Sequence, residues 1–185
     1  NYTYSGEGNI NTKVTEHGTY TYTYDNVYRL KNAVNPSPTI ADETYTYDDL
    51  GNRLTSAAVP GTWLYNLNNE LGSYDNVSFA YDNNGNTITK TVASQNTSFI
   101  YDESDRMVEV KDNSGATTAA YYYDPFGRRL WKDTGGVKTY FLYADEGLIG
   151  EYDSSGNEIK TYGYALGSQW GTNPLFQKVG TTYYW

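Results

Sequence analysis

The residues able to do chemistry are few in kind. One histidine, His17, stands in the segment TEHGTY beside a turn glycine, and the 185 residues contain no cysteine. Zinc sites need several Cys or His ligands, and no Gly-x-Ser-x-Gly elbow accompanies His17 to make a Ser-His-Asp hydrolase. His17 is therefore read as a solvated turn residue. Carboxylates are plentiful, 22 Asp and Glu in all, but no pair is set apart by spacing as the two acids of a glycosidase would be. DNNGN (82–86) and DSSGNE (153–158) offer oxygens at alternate positions, as calcium loops do. Both put glycine at the fourth position, where an EF-hand needs it at the sixth. Asp side chains that cap turns account for these segments better. No catalytic, metal or cofactor-binding residue is assigned, and a non-enzymatic role is expected.

The aspartates matter for another reason, which is that they recur. Aligned on Tyr-Asp, the chain gives YTYTYDNVYRL (20–30), YTYDDLGNRL (45–54), AYDNNGNTI (80–88), IYDESDRMVEV (100–110), YYYDPFGRRL (121–130) and EYDSSGNEI (151–159). WLYNLNNEL (63–71) is a weaker copy with Asn66 for Asp. The Asp or Asn positions 25, 48, 66, 82, 102 and 124 are 23, 18, 16, 20 and 22 residues apart, a loose period of about 20. The repeat positions are Tyr24-Asp25, Tyr47-Asp48 with Gly51, Tyr65, Tyr81-Asp82 with Gly85, Tyr101-Asp102, Tyr123-Asp124 with Gly127, and Tyr152-Asp153 with Gly156.

Each copy reads as strand, turn, strand. Alternation such as Tyr45-Thr46-Tyr47 puts two tyrosines on one strand face. Asp-x-x-Gly then suits a type I turn followed by a left-handed bulge residue. Six segments fit it, at 48–51, 82–85, 112–115, 124–127, 133–136 and 153–156, and a further turn is placed at 145–147. The copies at Asp25 and Asp102 lack the glycine, so their turns are expected to be built differently. Two prolines mark 32–43 as a loop, and 166–176 is read as another. No amphipathic helix is found.

Composition agrees with an all-β chain. There are 22 Tyr against 5 Phe and 1 Met, with 18 Gly against 5 Pro, and tyrosine and threonine favour pleated, half-buried surfaces. Ladders of stacked tyrosines are the expected source of cohesion. A net charge of −9 argues against a nucleic-acid partner, and Arg128-Arg129 with Lys132 reads as a solvated face. No run is long and apolar enough to span a membrane, and no targeting signal is recognised. Asn76-Val-Ser78 and Asn96-Thr-Ser98 fit a glycosylation sequon, relevant only in a eukaryotic secretory setting. Trp63, Trp131, Trp170 and Trp185 are candidates for stacking on sugar rings.

YDDLGNRL, YDPFGRRL and YDSSGNEI resemble the YD repeats of Rhs (rearrangement hotspot) proteins, also found in teneurins and in shell subunits of insecticidal toxin complexes. Residues 121–169 carry the most specific likeness, including Gly-Leu-Ile-Gly-Glu-Tyr-Asp, and the resemblance is weaker before Tyr45. It implies a β-hairpin meander curved into a spiral sheet or partial open barrel, one domain over 1–185 with about seven hairpin units. It also implies a fragment or minimal version of a longer bacterial, secreted or cell-surface protein. The implied function is a non-catalytic shell segment that encapsulates or displays a toxin polypeptide. A surface module binding carbohydrate or a partner cell is the alternative. Nothing after Trp170 resembles the core terminus through which some members release their toxin, so no protease residues are assigned. Flanking repeats or a guest polypeptide are the expected partners, with self-association through open edges near Tyr2–Tyr4 and Tyr183–Trp185.

Overall fold

The computed structural model describes residues 1–59, 61–171 and 173–185. Among them the chain is all-β, with no helix. It divides into two compact units, Asn1–Ala80 with Thr91–Ser94, and Tyr81–Lys90 with Gln95–Trp185.

The first unit carries β1 (Tyr2–Tyr4), β2 (Ile10–Thr15), β3 (Gly18–Tyr24), β4 (Leu30–Val34), β5 (Glu43–Tyr47), β6 (Arg53–Ser56), β7 (Leu64–Tyr65), β8 (Leu71–Tyr74) and most of β9 (Val77–Tyr81). Strands β1 to β6 form one antiparallel sheet in sequence order, and β7, β8 and β9 pair in succession. The second unit carries most of β10 (Thr87–Val92), then β11 (Gln95–Tyr101), β12 (Met107–Lys111), β13 (Thr117–Tyr123), β14 (Arg129–Thr134), β15 (Val137–Ala144), β16 (Gly147–Asp153), β17 (Glu158–Gly163), β18 (Phe176–Val179) and β19 (Thr182–Tyr184). These too lie in sequence order. Neither run returns to its first strand, so neither closes into a barrel.

The alternation of tyrosine and threonine appears directly in burial. In β3, Tyr20, Tyr22 and Tyr24 are half-buried while Thr19, Thr21 and Thr23 are exposed. Tyr45 and Tyr47 alternate with Thr44 and Thr46 in the same way in β5. Burial stays shallow. Among the described residues Val77 and Ala119 are the only buried apolar side chains, and no large side chain is fully enclosed. A core of the usual depth is missing, so the polar contacts of these strands carry more of the fold.

Nine connections share one structure. They start at Ser5, Asp25, Asp48, Asn66, Asp82, Asp102, Asp112, Asp124 and Asp153. In each, the carbonyl of the first residue accepts the N–H three residues on at 3.0–3.2 Å. Its own N–H donates to the carbonyl four residues on at 2.8–3.0 Å. The fourth residue is left-handed every time, with φ between 56° and 92°. This is the type I turn with a bulge residue.

Four expectations are corrected. The copies at Asp25 and Asp102 are not built differently: Tyr28 (φ 66°) and Asp105 (φ 56°) take the left-handed position that glycine takes elsewhere. The turn's hydrogen bonds outweigh the steric cost of a side chain there. The segment 133–136 is not a turn of this class. Asp133 and Thr134 remain in β14, and Gly135-Gly136 (φ 60° and 84°) make a two-residue hairpin turn instead. The loop expected over 32–43 is shorter, because Asn32–Val34 pair within β4 and prolines follow only after it. The stretch 166–176 is a loop up to Leu175, with Phe176 opening β18; Thr172 lies outside the described residues.

The left-handed position gives opposite results for two substitutions. Tyr28→Gly is expected to raise stability by about 0.5–1 kcal/mol, since the ring is exposed and only backbone strain is relieved. Gly127→Ala, where a new Cβ would meet nothing within 4 Å, is expected to cost about 1 kcal/mol from the backbone alone. Urea unfolding of the three proteins checks both signs.

Candidate functional site: the edge of aspartate turns

In a meander, alternate connections fall on one edge. The turns at Ser5, Asp25, Asp48 and Asn66 therefore line one edge of the first unit. Those at Asp82, Asp102 and Asp124 line an edge of the second, with Asp112 and Asp153 opposite.

Each carboxylate is engaged from three sides. Asp124 Oδ1 accepts the N–H groups of Phe126 and Arg128, both at 2.9 Å, and its Oδ2 accepts Arg128 Nε. Asp25 repeats the set with Val27, Arg29 and Arg29 Nε, and Asp102 with Ser104, Arg106 and Arg106 Nε. At Asp48, Asp82 and Asp153 the fifth residue is Asn, whose Nδ2 takes the place of the guanidinium. Asn66 inverts the pair by donating to Glu70. Ser5 supplies only a hydroxyl, accepting from Glu7 and Asn9 at 3.3 Å.

The fifth residue also ties one turn to the next. Arg29 Nη1 donates to the Asp48 carbonyl and Arg106 Nη1 to that of Asp124, both at 2.9 Å. The same guanidiniums lie over the next copy's tyrosine, Arg29 over Tyr47 at 4.7 Å and Arg106 over Tyr123 at 5.1 Å. Asn52 bonds Asn69, and Asn86 bonds Asp105.

These contacts set the charge state. At Asp48, Asp82, Asp102, Asp112 and Asp153 the side-chain hydrogen bond from the turn, joined by its backbone N–H groups, holds the carboxyl below the ordinary carboxylate range. At Asp25 and Asp124 desolvation is the largest influence and pushes upward. The combined bonds from Arg29 and Val27, or Arg128 and Phe126, outweigh it and leave both lowered. Every one of these aspartates is favoured as the anion by hydrogen bonds from its own turn, which suits it to hold that turn.

The tyrosines act through their hydroxyls. Between hairpins the ladder stops before the turn edge: β2 and β3 pair from Thr12↔Thr21 onward, and β14 and β15 from Trp131↔Tyr140. Beyond those points a phenol reaches across to a backbone carbonyl that the ladder leaves. Tyr24 donates to Ile10, Tyr47 to Leu30, Tyr65 to Arg53, Tyr101 to Thr87, Tyr143 to Arg129 and Tyr164 to Leu148, at 2.6–3.1 Å. Phenylalanine could not do this. Burial raises the pKa of Tyr65, Tyr101, Tyr143 and Tyr164, keeping them as donors. The expected ladder of stacked tyrosine rings is thus largely replaced. Ring pairs run mainly through Trp and Phe, with Tyr2–Tyr4 as a pair of tyrosines.

The other singled-out residues fall as follows. Tyr81 ends β9 ahead of the Asp82 turn, and Tyr123 takes Arg129 Nη2 at 3.5 Å. The Tyr152 ring lies over Gly150, where a Cβ would come within 2.7 Å of it. Gly51, Gly85, Gly127 and Gly156 hold the left-handed position. Trp63 already stacks on Tyr74 at 4.7 Å with Arg53 over it at 4.0 Å. Trp131 stacks on Tyr122 at 5.8 Å with Lys138 over it at 4.1 Å. Trp170 and Trp185 are exposed.

Sequence reasoning passed over the copy YSGEGNI (4–10), although Gly8 and Asn9 stand where Gly51 and Asn52 do. It also passed over the Arg or Asn at the fifth place of a copy, which was visible at positions 29, 52, 86, 106, 128 and 157.

A sheet of hairpins edged by aspartate turns, with neighbouring copies tied by tyrosine hydroxyls or by the fifth residue of a turn, defines a YD-repeat wall. The chain belongs to the Teneurin YD-shell family, whose family model matches residues 4–184. It is 32% identical over 180 residues to the tRNA3(Ser)-specific nuclease WapA of Bacillus spizizenii, covering 94% of this chain and 7% of that protein. It is 35% identical over 136 residues to the double-stranded DNA deaminase toxin A of Burkholderia cenocepacia, covering 71% and 9%. The crystal structure of TcdB2-TccC3 shares its fold, with a TM-score of 0.56 at 15% identity over 97% of this chain and 12% of that one. The chain thus spans about a tenth or less of the length of these relatives.

Tyr143→Phe is expected to cost about 1–2 kcal/mol, because the Arg129 carbonyl loses its donor. Tyr140→Phe, exposed in the same strand, is expected to stay within about 0.5 kcal/mol. Equal losses would remove the special role of the hydroxyl. The raised phenols also set an alkaline limit. Their contribution is complete below the ordinary value of about 10 and is lost as pH rises through the higher folded values. Phenolate absorbance and loss of β-structure should therefore rise together, later than in the unfolded chain.

Proposed function

We propose that this chain is a non-catalytic wall segment of a secreted β-sheet shell that surrounds a toxic polypeptide carried elsewhere in the same protein. The observation that carries the proposal is the engagement of the repeat aspartates. Asp25, Asp48, Asp82, Asp102, Asp112, Asp124 and Asp153, the carboxylates that recur with the repeat, are turn caps bonded by groups of their own turns. Membership of the YD-shell family supports a structural role. Relatives named as a tRNA nuclease and a DNA deaminase toxin match this chain over only 7% and 9% of their length. Most of each such protein is available to hold the activity in its name. The wall contains by steric exclusion, forming and breaking no bond, and its shallow burial suits a sheet that meets further protein on its faces.

Protease protection tests this in a longer polypeptide that joins the chain to the toxin segment it is proposed to enclose. The segment bearing the toxin is expected to resist digestion there at least tenfold longer than when expressed alone. Equal digestion rates in the two settings would overturn the proposal.

A further inference from the structure

Near the end of the second unit the repeat pattern changes. The copy at Asp124 is followed by Tyr143-Ala144 and the two-residue turn Asp145-Glu146, where earlier copies have Tyr-Asp and a full turn. Arg128 keeps its place in its own turn through Nε on Asp124. Its two counterparts, Arg29 and Arg106, each hand Nη1 to the next turn's carbonyl. No such acceptor is found for the Nη atoms of Arg128 among the described residues. Its side chain is about a third exposed (31%).

That guanidinium sits over three rings, 5.2 Å from Phe126, 5.6 Å from Tyr143 and 5.4 Å from Trp170. Tyr143 and Trp170 also help line a cavity of about 490 Å³ with Leu148, Tyr162, Tyr164 and Pro174. Its volume is in the range of small-ligand sites. The three phenols already donate inward, Tyr143 to the Arg129 carbonyl, Tyr162 to Glu151 and Tyr164 to the Leu148 carbonyl. Ring faces, not hydroxyls, are thus what the cavity offers. Gly147 keeps the floor low: a Cβ there would come within 2.9 Å of the Gly171 carbonyl.

Trp170 completes the wall in an unfavourable backbone state. It has φ 49° and is 58% exposed. Two hydrogen bonds hold it, its own N–H to the Asp145 carbonyl at 3.0 Å and the Gly171 N–H to that of Glu146 at 2.8 Å. Glycine would fill this position without strain, so the indole is kept at a conformational cost.

We propose that this cavity binds a large apolar side chain presented beside a carboxylate, the side chain against the rings and the carboxylate on the Arg128 fork. Guanidinium and carboxylate match in charge and in planar two-donor geometry. A sugar fits poorly, because its hydroxyls would lose water and find few free partners. The proposal rests on the second unit alone and stands whether or not the wall encloses a guest.

The test uses two probes, N-acetyl-phenylalanine and its carboxamide, followed at the Trp170 indole N–H by NMR. The acid is expected to shift this resonance saturably and to bind about tenfold more tightly than the amide. Arg128→Asn is the matched variant, because Asn fills that place in the turns at Asp48, Asp82 and Asp153. It should keep the fold and bring the acid down to the level of the amide. Trp170→Gly should be at least as stable as the parent, and neither probe should then shift the neighbouring Gly171 amide. Equal binding of acid and amide, an acid preference that survives Arg128→Asn, or no saturable shift would each overturn the assignment.

Discussion

At seven of the nine repeat turns the structure depends on an ionised carboxylate closing a turn whose fourth residue is left-handed. That position is costly for every residue but glycine. It is nevertheless occupied by Tyr28, Asn69 and Asp105 where glycine is missing. The side-chain oxygen of the first residue gathers two backbone N–H groups, joined at Asp25 and Asp102 by a side-chain donor on the other oxygen, and this set is what the strained residue is traded against. At Asp25, Asp48, Asp82 and Asp102 the same carboxylate orients the fifth residue, and the fifth residue reaches the next turn. A local capping rule therefore becomes an order along an entire edge.

The second constraint is thinness. With Val77 and Ala119 as the buried apolar residues, little hydrophobic enclosure holds neighbouring hairpins together. Where ladders lapse towards the turn edge, carbonyls such as those of Leu30 and Arg129 would lack partners, and a buried or half-buried carbonyl left bare is expensive. Tyrosine meets both needs, with a ring broad enough to cover a pleat and a hydroxyl long enough to cross to the next strand. An abundance of tyrosine over phenylalanine follows from that double duty. A wall so made can be extended hairpin by hairpin without a central core, as repeat proteins are. This accords with a chain that matches a small part of much longer relatives.

Much of this was legible in the residues. Tyr-Asp spacing gave the hairpins, Asp-x-x-Gly gave most of the turns, and the lack of a helical period gave the class. What failed did so for physical reasons. The pattern Asp-x-x-Gly makes glycine at the fourth place look necessary, whereas the Asp25 and Asp102 carboxylates suffice to hold Tyr28 and Asp105 there. Asp133 satisfied the pattern by letter, but Gly135-Gly136 allow a tighter reversal that keeps Asp133 in the strand. Ser5 was passed over because a hydroxyl can replace a carboxylate as acceptor, which an alignment on aspartate conceals. The reach of a phenol to a carbonyl of the adjacent strand, 12–17 residues away in sequence, is not a local property at all. It needs the register, and so do the ring neighbours that occupy Trp63 and Trp131.

The most direct test of the central claim is a carboxyl-carbon NMR titration of Asp25, Asp48, Asp82, Asp102, Asp112, Asp124 and Asp153. A carboxyl lowered in the fold contributes fully above its ordinary value of about 3.9 and ceases to contribute as pH falls through the lower folded value. All seven midpoints should lie below that ordinary value, with β-structure lost as they are crossed. Midpoints at the ordinary value, or strands that persist once the seven are protonated, would contradict the account.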